Sequence, residues 1–231
     1  MIMKNIYLFF TFFFSVVLIT FLSSSFSTET KEEQLSIQNG EQVYAQLCMD
    51  CHGENGKGEG ALIGTALNNQ QFLNTFSDKD IYNMINNGRP ETMMPNFSFI
   101  EEREQREIVS YIRSWQTKQI RHEAPSIIEG NTLNGEKLYS SNCAMCHGET
   151  GSGLLATSTA IANSNTLKQM SDIQMWITIA YGREDTRMGP SLKGLEGVKQ
   201  LEEQDISDIV EYIREELFDK YDPGETGHNA H

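Results

Sequence analysis

The sequence has too few cysteines for a disulfide-bonded scaffold, with four among 231 residues. Small secreted proteins that depend on disulfides are much richer in cysteine, so that class is excluded. Basic residues are also in the minority, with 18 Lys and Arg against 32 Asp and Glu, which gives a net charge of −14. No run of Lys and Arg provides a local basic patch. Because nucleic acid is bound largely through its phosphates, the chain is not expected to bind it.

A single long apolar run, 6–22, follows Lys4 and precedes a stretch of serines. A basic residue, an apolar run and small residues are the layout of an export signal. The run exceeds the usual signal core of about 7–15 residues and reaches the lower limit for a membrane span. Residues 1–27 are therefore expected to form a signal peptide or an uncleaved membrane anchor. Both interpretations place the following residues on the extracytoplasmic (periplasmic) side, since Lys4 keeps the N-terminus in the cytoplasm.

The rest of the chain is one sequence repeated twice. Residues 39–58 read NGEQVYAQLCMDCHGENGKG and residues 134–153 read NGEKLYSSNCAMCHGETGSG, and eleven of the twenty aligned positions are identical. Downstream, GRPETMMP aligns with GREDTRMG, and EIVSYIR with DIVEYIR. This pattern predicts two copies of one unit of about 90 residues. The expected limits are 36–117 for the first domain, 118–131 for a linker, 132–221 for the second domain and 222–231 for a flexible tail.

Each unit reads as mainly helical, because apolar residues recur at helical spacing near its beginning and its end. These residues are Val43, Tyr44 and Leu47, then Ile108, Val109, Ile112 and Trp115, and in the second unit Ile206, Ile209, Val210, Ile213 and Leu217. The stretches GENGKGEG and NNQQ between them are typical of loops. No convincing alternating strand pattern occurs, so the fold is expected to be all-α. So much loop leaves a thin core, which a large apolar prosthetic group in each unit would complete.

The cysteines form two C-x-x-C-H motifs, one in each unit. Their residues are Cys48, Cys51 and His52, and Cys143, Cys146 and His147. Thiols at this spacing add to the two vinyl groups of one haem, and the next imidazole then lies beneath the iron as an axial ligand. A thioredoxin-like redox pair needs a strand-to-helix context and no histidine. A structural zinc site needs four ligands in one cluster, which is unusual across two separate repeats. The motifs therefore predict two covalently attached c-type haems.

On these motifs the chain resembles the class I c-type cytochromes, and specifically their tandem diheme members exported by bacteria. CMDCH and CAMCH match the attachment signature of that family. The preceding helix, the following glycines and the terminal YIR helix match its order of elements. The resemblance covers residues 39–115 and 134–218. It implies two small tandem domains, each an all-α fold wrapped around one covalently attached haem, after an N-terminal hydrophobic segment.

The resemblance also implies a methionine on the far side of each iron, on the loop before the last helix. Met94 fits in the first unit because a proline follows it, as is frequent in the family. The repeat aligns Met94 with Met188 and places the neighbouring Met93 opposite Arg187. The spacings from histidine to methionine are 42 and 41 residues, so both copies close a similar loop. The expected axial ligands of iron are thus His52 with Met94 and His147 with Met188.

The sequence departs from the family pattern in two places. Gly189 separates Met188 from the next proline. In addition, neither unit has a proline between its histidine and the stretch before its methionine, so a different backbone carbonyl is expected to accept a hydrogen bond from the second ring nitrogen. Other methionines and histidines are interpreted as core, linker or tail residues: Met170, Met175, His122, His228 and His231.

An iron with histidine nitrogen and methionine sulfur on its two faces has no open site for oxygen, peroxide or substrate, and it exchanges single electrons instead. The resemblance thus implies an electron carrier and not an enzyme. Its expected partners are extracytoplasmic or membrane-bound redox proteins of a respiratory chain, such as a quinol-oxidising complex and a terminal oxidase or reductase. Three alternatives stay open: a diheme subunit of a larger oxidoreductase complex, a diheme enzyme (peroxidase-like or thiosulfate-oxidising), and a sensor with a five-coordinate haem.

Overall fold

The computed structural model describes residues 30–59, 64–89, 92–153 and 158–222. The predicted leader, 1–27, and all but the first residue of the predicted tail lie outside these ranges. Over the described ranges, no helix has both the length and the apolar character that crossing a bilayer requires. The same ranges contain no strand, and the isolated bridges in them include one between Leu192 and Leu201. The prediction of an all-α fold is confirmed to that extent.

Within the described ranges, the first unit contains five helices and the second contains six. They are α1 (30–47), α2 (Met49–His52), α3 (Gln70–Thr75), α4 (Asp78–Asn87), α5 (Glu102–Ser114), α6 (Thr132–Asn142), α7 (Ala144–His147), α8 (Ser164–Gln169), α9 (Asp172–Tyr181), α10 (Glu203–Tyr212) and, after a π-helical segment at Ile213–Leu217, α11 (Phe218–Lys220).

The first and last long helices of each unit cross in close contact at a glycine. A Cβ atom at Gly40 of α1 would lie 1.9 Å from the carbonyl oxygen of Glu107 on α5. A Cβ atom at Gly135 of α6 would lie 2.0 Å from the carbonyl oxygen of Asp208 on α10. In both units the asparagine before the glycine donates a hydrogen bond to that partner's carboxylate, at 3.0 and 2.8 Å. The shared NG of the two repeats therefore sets the helix crossing.

Each unit has its own hydrophobic core. The first contains Phe72, Leu73, Phe76, Ile81, Met84, Ile85, Ile108, Val109 and Ile112. The second is larger and includes Tyr139, Met175, Trp176, Ile206, Ile209, Val210, Ile213 and Leu217. Each such side chain contributes about 1.5–3 kcal/mol when fully buried. The predicted helical faces are thus confirmed, except that Leu47 is 37% exposed.

The middle of each unit contains two helices that were not predicted. In the first unit they are α3 and α4. Asn69 caps α3 by accepting from the backbone of Phe72, so helix begins inside the NNQQ stretch that was predicted to be loop. Ser77 begins α4 with a capping box, in which its side chain and that of Asp80 each accept from the other's backbone N–H. In the second unit, Asn163 and Ser171 begin α8 and α9 in the same way.

A π-helical segment in the second unit accommodates one additional residue. Trp115 packs beside Gly56 in the first unit, where a Cβ atom would lie 2.4 Å from the indole ring. Leu217 packs at the equivalent Gly151, at 2.9 Å, although the residue before Leu217 is the one that aligns with Trp115 in sequence. The wider π turn at 213–217 therefore restores the packing register after one inserted residue.

The second unit also has a longer loop before its last helix. The offset between the units rises from 94 at Gly88 and Gly182 to 101 at Glu107 and Asp208, a difference of seven residues. The bridge between Leu192 and Leu201 lies within this region. Backbone hydrogen bonds also link Leu201 to the residues on either side of Leu192. The two repeats therefore differ in the length of the loop before the last helix.

Candidate haem sites

Each C-x-x-C-H motif lies on one helical turn that is fixed by its own unit. The amide of His52 donates to the carbonyl of Cys48, and the amide of His147 to that of Cys143, both at 2.9 Å. Residues three and four positions apart lie on the same side of such a turn, so the two thiols and the imidazole of each motif share a face. In each unit the hydroxyl of a buried tyrosine donates a hydrogen bond to the carbonyl of the glycine that follows the histidine, at 2.7 and 2.8 Å. This bond holds the turn in place.

None of the four cysteines forms a disulfide, and all four are partly buried. Burial raises the pKa of Cys48 to about 12, with a smaller contribution from neighbouring Cys51. Burial likewise raises the pKa of Cys143 above its ordinary value. Reactive redox cysteines have lowered pKa values because a thiolate must form. These thiols are therefore not activated nucleophiles, which disfavours the thioredoxin-like interpretation on physical grounds.

The carbonyl expected behind each histidine is present. Nδ1 of His52 lies 2.7 Å from the carbonyl oxygen of Thr65, and Nδ1 of His147 lies 3.3 Å from that of Thr159. A hydrogen bond at Nδ1 leaves Nε2 as the nitrogen available to a metal and makes it more basic. Burial lowers the pKa of both histidines, so each ring favours the neutral form that ligates iron. No side-chain motif marks a backbone carbonyl, so sequence could not name these two threonines.

Met94 and Met188 occupy equivalent turns. The amide of Arg89 donates to the carbonyl of Met94 at 2.9 Å, and the amide of Arg183 donates to the carbonyl of Met188 at 2.7 Å. The amide of each methionine in turn donates to the hydroxyl of the threonine two residues earlier, at 3.2 and 3.1 Å. Met93 is outside this pattern and is 49% exposed. Equivalent hydrogen bonds therefore hold the backbone of Met94 and of Met188, in agreement with the alignment of these two residues in the repeat.

A glycine is required where each of these turns begins. Gly88 and Gly182 have φ values of +62° and +66°. A Cβ atom on Gly88 would lie 2.5 Å from the backbone of Pro95, and one on Gly182 would lie 2.4 Å from that of Gly189. Positive φ and this close approach both exclude other residues. The second unit therefore forms the same turn, although Gly189 and not a proline follows Met188.

The donor groups of each unit fit a c-type haem: two thiols, a neutral imidazole and a thioether. A zinc site does not fit, because the described part of the chain has no cluster of three or more His, Cys, Asp or Glu residues that would hold a metal ion.

Comparisons with known proteins agree with this donor set. The family model "Cytochrome C oxidase, cbb3-type, subunit III" matches residues 36–112, and the model "Cytochrome c" matches residues 133–216. The chain is a tandem diheme class I c-type cytochrome. The cytochrome therefore carries two covalently attached c-type haems with iron, as predicted.

Two individual proteins are similar to the cytochrome. One is the "Cbb3-type cytochrome c oxidase subunit CcoP" of Azospirillum sp. (strain B510), which is 26% identical over 77% of this chain and 61% of that protein. The cytochrome thus spans about 61% of the length of this relative. The other is a chain of the "Kuenenia stuttgartiensis reducing HAO-like protein complex Kustc0457/Kustc0458", with 21% identity and a TM-score of 0.48 over 76% of this chain and 94% of that one.

The second site has a basic residue that the first site lacks. Lys199, from the longer loop of the second unit, lowers the pKa of His147 after burial has already done so, and it also acts on the pKa of Cys143. Among the described residues of the first site, Arg89 is the only cation that contributes to the lowered pKa of His52. The seven additional residues therefore place positive charge close to the second haem.

Proposed function

We propose that the cytochrome carries single electrons between extracytoplasmic redox proteins and is not itself an enzyme. His52 and Met94 ligate the first iron, and His147 and Met188 ligate the second. The observation that carries this proposal is the turn shared by the two methionines, in which matching backbone bonds hold Met94 and Met188 in the same way. Because both units have this turn, each methionine is held in position to ligate the iron of its own unit.

Ligands on both faces explain why electron transfer is the favoured chemistry. The haem supplies a one-electron couple when it is bound, and thioether ligation raises its potential relative to two nitrogen ligands. The residues of the chain supply the rest: Thr65 and Thr159 fix the histidine rings, and the two glycine turns fix the methionines. Rigid ligands keep the geometry of the site similar in both oxidation states.

The net charge of −14 supports a transient encounter with a basic redox partner, whose approach an acidic surface accelerates. We propose a quinol-oxidising complex as donor and a terminal oxidase or reductase as acceptor, with the leader holding the domains on the periplasmic side of the membrane. Similarity to an oxidase subunit supports a respiratory role.

A second candidate function is that of a permanent diheme subunit of a larger oxidoreductase complex. It is favoured by the match of residues 36–112 to a model described as a cbb3-type oxidase subunit. Mild detergent extraction of the native membranes separates the two candidates. A free carrier migrates alone on a blue-native gel and reacts in a salt-dependent way, whereas a subunit migrates with its complex.

The axial assignments are tested by carbon monoxide binding to the ferrous protein. Neither haem of the native protein is expected to bind it readily, and the weak red absorption band of iron–sulfur ligation should report two methionines. Met94→Ala should open one iron, so that half of the haem binds carbon monoxide and half of the red band is lost. Met93→Ala is the matched control, since it removes the same side chain one residue earlier, and it should change neither signal.

Two results would refute the proposal. Avid carbon monoxide binding by the native protein would indicate an open iron and favour an enzyme or a sensor. Loss of the red band in Met93→Ala but not in Met94→Ala would show that the neighbouring methionine is the ligand. In both cases acidified acetone should leave the haem with the protein, because covalent attachment is a separate property.

A further inference from the structure

Two amide side chains cross from one unit to the other and donate to the methionine turns. The side chain of Gln169, the last residue of α8, donates to the carbonyl of Gly88 at 2.8 Å, where the methionine turn of the first unit begins. In the opposite direction, the side chain of Asn69 donates to the carbonyl of Glu184 at 2.7 Å, inside the methionine turn of the second unit. Each unit therefore holds the methionine turn of the other.

Both bonds are partly shielded from water. Gly88 is buried, and Asn69 is only 2% exposed. Asn69 is fixed at its other end as well, since its side-chain oxygen caps α3 by accepting from the amide of Phe72 at 3.0 Å. Next to Gln169, the side chain of Met170 packs against the cores of both units and keeps the end of α8 at the interface. A shielded carbonyl that loses its donor is costly, so both bonds oppose opening of the turns.

Opening of a turn is what would free the sixth position of its iron. The backbone of Met94 is fixed at its carbonyl by the amide of Arg89 and at its amide by the hydroxyl of Thr92, so the methionine moves only if the turn moves with it. A small ligand that competes for the iron binds only to the opened fraction, and its apparent affinity is proportional to that fraction. Ligand affinity at each haem thus measures how firmly its turn is held.

The bond from Asn69 is not a by-product of helix capping. Asn163 occupies the equivalent position in the second unit and caps α8 in the same way, by accepting from the amide of Thr166 at 2.7 Å. Its side-chain nitrogen is buried and has no hydrogen-bond partner among the described residues. The two caps are therefore alike, whereas only the amide of Asn69 donates to the other unit.

We propose that Gln169 and Asn69 are positioning residues that keep the axial methionine of the other unit on its iron. Gln169 of the second unit acts on Met94, and Asn69 of the first unit acts on Met188. Each domain therefore completes the ligand set of its neighbour, and neither iron is closed by its own unit alone. This inference rests on the proposed ligation by the two methionines.

The test is carbon monoxide binding to the ferrous protein, followed at each haem by proton NMR. The ring current of a haem shifts the methyl group of its ligating methionine far upfield, and Met94→Ala and Met188→Ala assign the two signals. Gln169→Met keeps the length of the side chain and removes the donor. It should raise the affinity of the first haem about tenfold and leave the second unchanged. Asn69→Ser, which retains a capping oxygen, should raise the affinity of the second haem alone.

Two matched controls separate this role from a general weakening of the interface. Gln71→Met removes another buried amide that crosses between the units, but this amide donates to the hydroxyl of Thr178 on α9 and not to a methionine turn. Asn163→Ser removes the amide of the equivalent cap, which has no partner in the described part of the chain. Both controls should leave the carbon monoxide affinity of the other unit's haem unchanged.

The proposal is overturned if Gln169→Met acts on the haem of its own unit or on both haems equally, or if Gln71→Met has the same effect. Should Gln169→Met fail to fold, Asn69→Ser decides: a rise confined to the second haem supports the proposal, and a rise at the first haem or at neither refutes it. Failure of the axial assignments is distinguishable, because Met94→Ala or Met188→Ala would then leave both upfield methyl signals in place.

Discussion

Gly135→Ala tests whether the glycine crossing of α6 and α10 builds the second domain. Alanine is the better helix former by about 1 kcal/mol, so with no tertiary contact this change would stabilise α6. The structure instead predicts that Gly135→Ala destabilises the domain, because the new Cβ atom would lie 2.0 Å from the carbonyl oxygen of Asp208. An ordinary contact of about 3.5 Å therefore requires the helices to separate by more than 1 Å.

The magnitude follows from three contributions. Overpacking of this kind costs about 1–3 kcal/mol. Separation also weakens the bonds from Asn134 and the Asn131 amide to the Asp208 carboxylate, now 2.8 Å each, and this costs about 1 kcal/mol more. After the helix-propensity gain is subtracted, the expected loss of unfolding free energy is about 2 kcal/mol. For a domain of about 90 residues, this lowers the thermal midpoint by about 10 °C.

The assay is urea unfolding monitored by tryptophan fluorescence, since each unit has one tryptophan. In a Trp115→Phe background, Trp176 reports on the second unit alone. Ser140→Ala on the exposed side of α6 is the matched control, and it should be neutral or slightly stabilising. Should Gly135→Ala behave like Ser140→Ala, the close helix crossing is not what stabilises this domain, and the reasoning is wrong.

Three further predictions follow from the same structure. Arg214→Gln should destabilise the second domain by about 3 kcal/mol in urea unfolding, because the arginine donates charge-assisted bonds to the backbone carbonyls of Leu167 in α8 and of Met170 after it. Exposed Arg187→Gln should not. Deletion of Glu215 from the π segment should leave stability nearly unchanged, because it restores α-helical register for Leu217. Deletion of Glu211 from α10 should instead shift the buried Tyr212 and Ile213 out of register and unfold the domain at lower urea. Lys199→Gln should lower the potential of the second haem and leave the first unchanged in a potentiometric titration, and equal shifts of the two would contradict the placement of this charge.

The repeat made the chemistry of the sites predictable, because thiol, imidazole and thioether ligands are encoded by residue type. The two histidines and the pairing of Met94 with Met188 needed only spacing and alignment. The ligand assignments themselves stay a prediction, as do the domain limits. Thr65 and Thr159 were beyond prediction, since any residue offers a carbonyl and the fold alone decides which one meets the ring.

The helices at the start and the end of each unit were predicted from their apolar spacing, whereas α4 and α9 were not predicted although both bury apolar side chains. The faces of α5 and α10 stood out because isoleucine and valine recur there, whereas α4 carries mostly polar residues and begins at a capping box that was visible in the sequence as Ser77 with Asp80. The π segment was hidden for a different reason: the insertion is a single residue, and only the packing of Leu217 in place of a tryptophan reveals it.

The duplication explains both what the two haems share and how they differ. Residues that hold the ligands are equivalent in the two units, so these residues alone would give both irons the same potential. The differences come from the second unit: the bond from His147 to its carbonyl is 3.3 Å against 2.7 Å for His52, and Lys199 is added by the longer loop. A weaker bond makes the imidazole less basic, and a nearby cation opposes the charge of the ferric iron. Both changes raise the potential of the second haem, so electrons should flow from the first domain to the second.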